Sequence, residues 1–350
     1  MTRFYSLRTS LCTARAGLLV GVWGLLAGCG RAQSPQACGE FDVSAVEGFE
    51  QAWEDAGERE DGSGAFRTNC LESHTNDDDP LVHPGLPGAA HHHVFFGNPE
   101  VDAFTTPERL QEAGCGTCDS GTVNRSAYWV PALYDQHGER IEYVEPLFYY
   151  KTGYHVPAEA IQPPPEDLVM IAGDAMATAP QPTTVVKFRC ESWTSDQVWF
   201  DPGDPLDHVS TLPDCEIDDL VEIRIVFPQC WDGVNLDAPD HQSHMAYPNE
   251  AIPPVVGTGS CPATHPIAIP EISYNFAIQV TAESGPPSTW RFSSDHHEGT
   301  PPGSSLHADW MNGWDPEVME TIVEQCLHPA RECMVGLLGD GRQLSPVVRR

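Results

Sequence analysis

From Leu220 to Phe227 the chain alternates: Val221, Ile223 and Ile225 are apolar, and Glu222 and Arg224 between them are charged. A period of two is what a strand with one buried face requires. Short β-branched and aromatic runs recur at 127–134, 141–150, 168–172, 183–189 and 274–280, each bounded by turn residues. Proline clusters at 163–165, 253–254, 286–287 and 301–302 break any long helix. One helix is predicted after Asp315-Pro316-Glu317, which supplies an N-cap, a first-turn proline and an early acid; Val318, Ile322 and Cys326 then share a face. A weaker helix is expected over 40–53 and a helical turn over 107–112. Many short strands joined by long loops predict an all-β fold, an antiparallel β-sandwich or jelly roll. No repeat or linker divides residues 41–340, which are read as one domain followed by a tail over 341–350.

Composition narrows the function. With 18 Lys+Arg against 51 Asp+Glu, the net charge of −33 would repel phosphates, which excludes a nucleic-acid partner. No glycine-rich nucleotide loop is present either, so a nucleotide is not expected. The acids are scattered apart from Asp77-Asp78-Asp79 and Asp218-Asp219 and read as a solvated surface. Arg3, Arg8 and Arg15 precede an apolar stretch from Ala16 to Ala27, the pattern of a secretory signal over residues 1–28. Leu26-Ala27-Gly28-Cys29 resembles the lipobox of bacterial lipoproteins, which implies lipidation at Cys29, a tether over 29–40 and anchoring to a membrane. Gly30 in place of an acid points to the outer membrane of the cell envelope.

Setting aside Cys12 and Cys29, ten cysteines remain, an even number that in an exported chain implies up to five disulfides. Local pairing predicts Cys190–Cys215, Cys230–Cys261, Cys326–Cys333, Cys38–Cys70 and Cys115–Cys118. The alternative for Cys115-Gly116-Thr117-Cys118 is a redox or zinc motif.

Histidine marks the candidate chemistry, in four segments read as loops. His91 and His93 would project from one face of a strand. His241 and His244 would face alike in a helical turn. His265 follows Cys261, and His307 lies two residues before Asp309.

These segments carry a family resemblance. Arg224–Gly233 and Asp240-His241-Gln242-Ser243-His244-Met245-Ala246-Tyr247-Pro248 are similar to the signature of a secreted family, domain of unknown function 1996. The segments Cys261–Pro266 and His307–Asp315 resemble its later blocks. Asp79–Gly85 with His91 and His93 resembles its opening, and Tyr128–Tyr134 its tyrosine-tryptophan strand. The resemblance covers about residues 66–326. It departs at His92, which makes a triple histidine, and in the longer Asp295–Gly303 loop. It implies a secreted, disulfide-bonded protein and supplies no reaction.

Three chemistries follow from the residues. His91, His93, His241, His244, His265 and His307 exceed what a zinc or copper centre needs, with Asp232, Asp240 and Asp309 to orient them or act as bases. Alternatively, His241 with Asp240, His307 with Asp309, and Tyr247 could serve a metal-free enzyme on an extracellular polymer such as a glycan; Asp232 and Asp309 could form a glycosidase pair. The third reading is a non-catalytic glycan- or wall-binding module. In it Tyr128, Trp129, Trp231, Trp310 and Trp314 form a platform and Asn312 meets hydroxyls. Against each stands a structural role, in which histidines satisfy loop peptides and aromatics fill the core.

Overall fold

Two sheets of alternating strands pack face to face. The computed structural model describes residues 37–38, 41–43, 48–112, 115–143, 146–191, 208–250, 257–296 and 299–349. All of these fall in one unit, Ser34–Arg350. The expected leader, Cys29 and the tether up to residue 36 lie outside the described residues, as does His297. The larger sheet has seven strands in the order Val186–Glu191, Leu220–Val226, Glu271–Gln279, Leu147–Lys151, Ala65–Asn69, Arg331–Val335 and Gly57–Glu58. The smaller has five, in the order Val169–Gly173, His307–Met311, Ala127–Pro131, His93–Gly97 and Glu72–Asn76. The strands of the smaller sheet all pair antiparallel; in the larger, Arg331–Val335 runs parallel to Ala65–Asn69. The fold is mostly β, as the alternating runs predict.

Alternation decides which side chains meet between the sheets. Phe66, Phe148, Tyr150, Ile223, Tyr274 and Phe276 from the larger sheet face Val94, Phe96, Tyr128, Val130, Met170 and Trp310 from the smaller. The Tyr128 and Phe148 rings approach to 4.5 Å and Phe96 and Phe276 to 5.8 Å. Burying each large apolar side chain contributes about 1.5–3 kcal/mol, so this layer is the main source of stability. On the outer face of the larger sheet the intervening charged residues are paired: Lys151 with Glu271 at 2.9 Å, Arg189 with Glu191 and Glu222, and Arg67 with Glu332.

The capped helix forms as predicted, Pro316–Ile322, with the Asp315 carboxylate accepting from the Glu317 and Val318 N–H groups. A helical turn covers Pro107–Leu110. The helix expected over 40–53 is replaced by strands Phe41–Val43 and Phe49–Gln51, which pair with Val347–Arg349 and Arg342–Leu344. Gly48 at φ +77° prevents a continuous helix there, and a Cβ on it would lie 2.5 Å from Thr122 Oγ1. The same pairing means that the expected tail is not loose: Arg342–Leu344 and Val347–Arg349 each form a small sheet with the N-terminal strands, apart from the two large sheets. Among the described residues no helix is long and apolar enough to cross a membrane.

Three predicted disulfides are present, Cys190–Cys215, Cys230–Cys261 and Cys326–Cys333. The other two predictions are corrected: Cys70 bonds Cys118. Backbone bonds from Leu71 to Thr117 and from Asp119 to Asn69 bring these two segments side by side, so Cys118 faces Cys70 and not its sequence neighbour. Cys115 is also in a disulfide. With both cysteines of the CxxC segment oxidised, neither offers a thiolate to zinc.

Candidate functional site

The outer face of the five-stranded sheet carries a second, smaller apolar cluster: Leu81, Phe95, Val101, Leu110, Ala127, Trp129, Val169 and Met311. At one end of this face the pattern turns polar. Strand register sets the layout. His93 stands opposite Pro131, and Asp309 opposite Trp129, which places His307, Pro131 and His93 in one row across three strands. Strands are about 4.8 Å apart, so the backbones of His307 and His93 are separated by about 10 Å. Pro131 between them is compact, and the two imidazoles lean over it until their centroids are 5.8 Å apart. Asp309 occupies the same face as His307 one pleat further along, 1% exposed. The fourth histidine segment is therefore a buried strand and not a loop.

The long connection after Asn76 closes over this end and brings two more groups. Asp77 pairs with His92 at 2.7 Å. Asp78 accepts from Gly88 and Ala103 N–H groups. Asp79 caps the next turn through the Leu81 and Val82 N–H groups, both at 2.9 Å. His91, at the return of the connection, lies 4.2 Å from the His93 ring and 4.9 Å from the His307 ring. Ligating atoms of His91, His93 and His307 lie within 4.8 Å of one another, and so do those of Asp79, His93 and Asp309. Five side chains from three segments of the chain thus meet around His93.

Backbone carbonyls fix the histidine tautomers. His93 Nδ1 is 3.0 Å from the Asp78 carbonyl and His307 Nδ1 is 3.0 Å from the Ser305 carbonyl. A carbonyl can only accept, so both Nδ1 atoms carry the proton and both Nε2 atoms present lone pairs. His307 Nε2 points toward Asp309 Oδ2 at 3.9 Å. Among the described residues, His91 Nε2, His93 Nε2 and both Asp309 carboxylate oxygens are buried without a hydrogen-bond partner. The indole Nε1 of Trp129 also lacks one, but no hydrogen bond joins it to Asp309. Burial holds the His93 ring down to about 3, helped by His307; burial likewise lowers His91 and His307. Burial raises the Asp309 carboxyl well above the usual range, with Asp79 adding to the effect. The cluster thus gathers the Nε2 lone pairs of His93 and His307 and a carboxyl that burial keeps protonated, with neither of the Asp309 oxygens in a hydrogen bond among the described residues.

The remaining sequence candidates lie elsewhere and are occupied locally. The 232–247 loop packs on the edge strand Val169–Gly173. His244 Nε2 bonds the Val169 carbonyl at 2.7 Å, and His265 Nε2 the Ser243 carbonyl at 3.0 Å. His241 sits at φ +57°, which breaks any helical path to His244, and its ring meets the Asp237 carboxylate at 2.9 Å. Asp232 accepts from the Val234 and Asn235 N–H groups, and Asp240 from those of Gln242 and Ser243. Tyr247 donates to the Val226 carbonyl. These groups shape the loop and do not join the cluster.

The aromatic platform is likewise not present as such. Tyr128, Trp129, Trp310 and Trp314 are fully buried packing residues and offer no face to a sugar. Trp231 is half-buried and donates to the Asn235 carbonyl; Asn312 is buried and donates to the Pro165 carbonyl. Asp79 is the member that sequence reasoning missed. Its signal was present in the run Asp77-Asp78-Asp79-Pro80, whose last acid precedes a turn and a histidine-rich return.

The family model described as domain of unknown function 1996 matches residues 79–314, a segment that contains all five members of the cluster. No curated protein and no solved structure matches the chain.

Proposed function

The chain belongs to the domain of unknown function 1996 family, and on that premise we propose that it is an exported metal-dependent protein acting on an extracellular polymer. The centre is built from His91, His93 and His307 with Asp79 and Asp309. One observation carries the reading: imidazole nitrogens and carboxyl oxygens are buried together without a hydrogen-bond partner among the described residues. A polar group buried without a partner costs about 1–3 kcal/mol, and a divalent cation satisfies several at once. The donor set, imidazole nitrogen with carboxylate oxygen, suits zinc, copper or another first-row ion. When bound, such an ion supplies Lewis acidity and an acidified water. The chain's own part is to hold the ligands: the Asp78 and Ser305 carbonyls fix the rings, and the sheet sets their spacing.

The ionisable neighbours of the three imidazoles are histidines and aspartates, His83, His92, His296, Asp79 and Asp174. The two carboxylates among them would repel an anionic substrate, which supports a neutral polymer such as a glycan. Oxidised cysteines support export, because disulfides persist in oxidising compartments; the membrane anchor at Cys29 is part of the same proposal. Metal analysis of protein purified without chelators tests the centre. One equivalent of a first-row ion, lost in His93→Ala, is expected; a wild-type protein that binds no such ion on titration overturns the reading. Incubation of the loaded protein with neutral and acidic polysaccharides then tests the substrate, and turnover confined to acidic polymers would contradict that part.

A further inference from the structure

Two groups of ligands share one residue. His91, His93 and His307 form a half-open set of three nitrogens; Asp79, His93 and Asp309 form a fully buried set of one nitrogen and two carboxylates. His93 is common to both. Its Nδ1 proton is committed to the Asp78 carbonyl, so Nε2 is its only lone pair, and one sp² lone pair holds one ion. The two sets therefore cannot each hold an ion through His93 at the same time.

We infer that the site has two alternative seats for a single ion, an outer nitrogen seat and an inner oxygen-rich seat, and that the character of the ion decides which is filled. This rests on the metal-centre reading above. Imidazole donors favour copper and zinc, whereas carboxylate donors favour harder ions such as manganese. The seats differ in access as well. His91 is the half-buried member of the outer set, while Asp79, His93 and Asp309 are 4%, 0% and 1% exposed. An ion arriving from solvent thus meets the nitrogen seat first, and a hard ion moves inward by exchanging His91 and His307 for Asp79 and Asp309 while keeping His93.

Separate truncation of the seats distinguishes them. His91→Ala removes a loop side chain that is not part of the core, and Asp309→Ala removes the deep carboxylate while the Tyr274 hydroxyl still holds the Asp309 backbone carbonyl. Titration of the full-length protein and both variants with Cu(II) and with Mn(II), followed by electron paramagnetic resonance, reads affinity and donor type. His91→Ala is expected to weaken copper at least 10-fold and leave manganese within about 2-fold; Asp309→Ala is expected to do the reverse. Copper in the wild type should show several coupled nitrogens, and manganese essentially one. Simultaneous binding of two ions, or equal losses of both metals in both variants, would overturn the two-seat inference while leaving a metal centre standing. Failure of the wild type to bind either metal would instead remove the centre itself. Melting curves of each metal-free variant show whether it is folded; should Asp309→Ala fail to fold, the His91→Ala comparison and the wild-type spectra decide alone.

Discussion

Asp309→Asn should stabilise the metal-free protein and forfeit most of the stabilisation that an ion gives the wild type. In the metal-free protein burial holds the Asp309 carboxyl protonated, so folding at neutral pH must take up a proton, and its oxygens have no hydrogen-bond partner among the described residues. An amide of the same shape needs no proton and places its N–H₂ group beside His307 Nε2, which lies 3.9 Å from Asp309 Oδ2. The backbone is unaffected, because the Tyr274 hydroxyl bonds the carbonyl of residue 309 at 2.6 Å. Relieving an unsatisfied buried group is worth about 1–3 kcal/mol. Each kcal/mol shifts the melting temperature of a large domain by about 2–4 °C, so in chelator Asp309→Asn should melt about 2–12 °C above the wild type. With ion at 100 times its Kd the wild type gains about 2.7 kcal/mol, and the variant gains much less. Differential scanning calorimetry with and without chelator reads both arms. A variant that melts below the wild type in chelator would show that the Asp309 carboxyl is already satisfied without an ion, and the reasoning would fail.

Other consequences are nearer the periphery. The Asp295 carboxylate takes the Phe292 N–H at 2.9 Å and the Ser305 hydroxyl at 2.7 Å, and Ser305 orients His307; Asp295→Ala should lower ion affinity about 10–100-fold, measured by competition with a chelating dye, and unchanged affinity would contradict this. Burial pushes the Asp119 carboxyl up to about 6 against N–H bonds from Asn69 and Val347, so the folded form holds its proton more tightly than the unfolded chain. Wild-type stability should then fall by about 3 kcal/mol as the pH rises from about 4 to about 6, and Asp119→Asn should lose that component in urea titrations; parallel pH profiles would refute it. A Cβ at Gly313 would lie 2.5–2.6 Å from the backbone of Arg125 and Ser126, so Gly313→Ala should destabilise by at least about 1–3 kcal/mol in the same assay, and a neutral result would refute it. Asp315→Ala should cost about 1 kcal/mol through loss of the helix cap, largely restored by Asp315→Asn; equal losses in both would point to another cause.

What could be read from the sequence was local. Period-two runs marked strands because one face of each is buried, and Asp315-Pro316 marked a helix because capping needs only neighbouring residues. Pairing of Cys70 with Cys118 was not readable, since it depends on which strands lie side by side. The histidines divide in the same way. His241, His244 and His265 sit in a dense motif, yet each ring spends a nitrogen on a nearby group, the Asp237 carboxylate, the Val169 carbonyl and the Ser243 carbonyl. His93 and His307 are separated by most of the domain, and only strand order places them on either side of Pro131. Asp79 was hidden in an acidic run whose other two members brace the loop through Gly88, Ala103 and His92. The buried tryptophans resembled a sugar platform in composition, but strand alternation turned them inward or beneath the covering loop.

Anomalous diffraction from crystals of chelator-free protein, collected across the edges of the first-row metals, tests the central claim most directly. A peak is expected within about 2.0–2.3 Å of His93 Nε2 and of at least two more atoms from His91, His307, Asp79 and Asp309. A map with no peak at His93 after soaking in zinc, copper and manganese would contradict it.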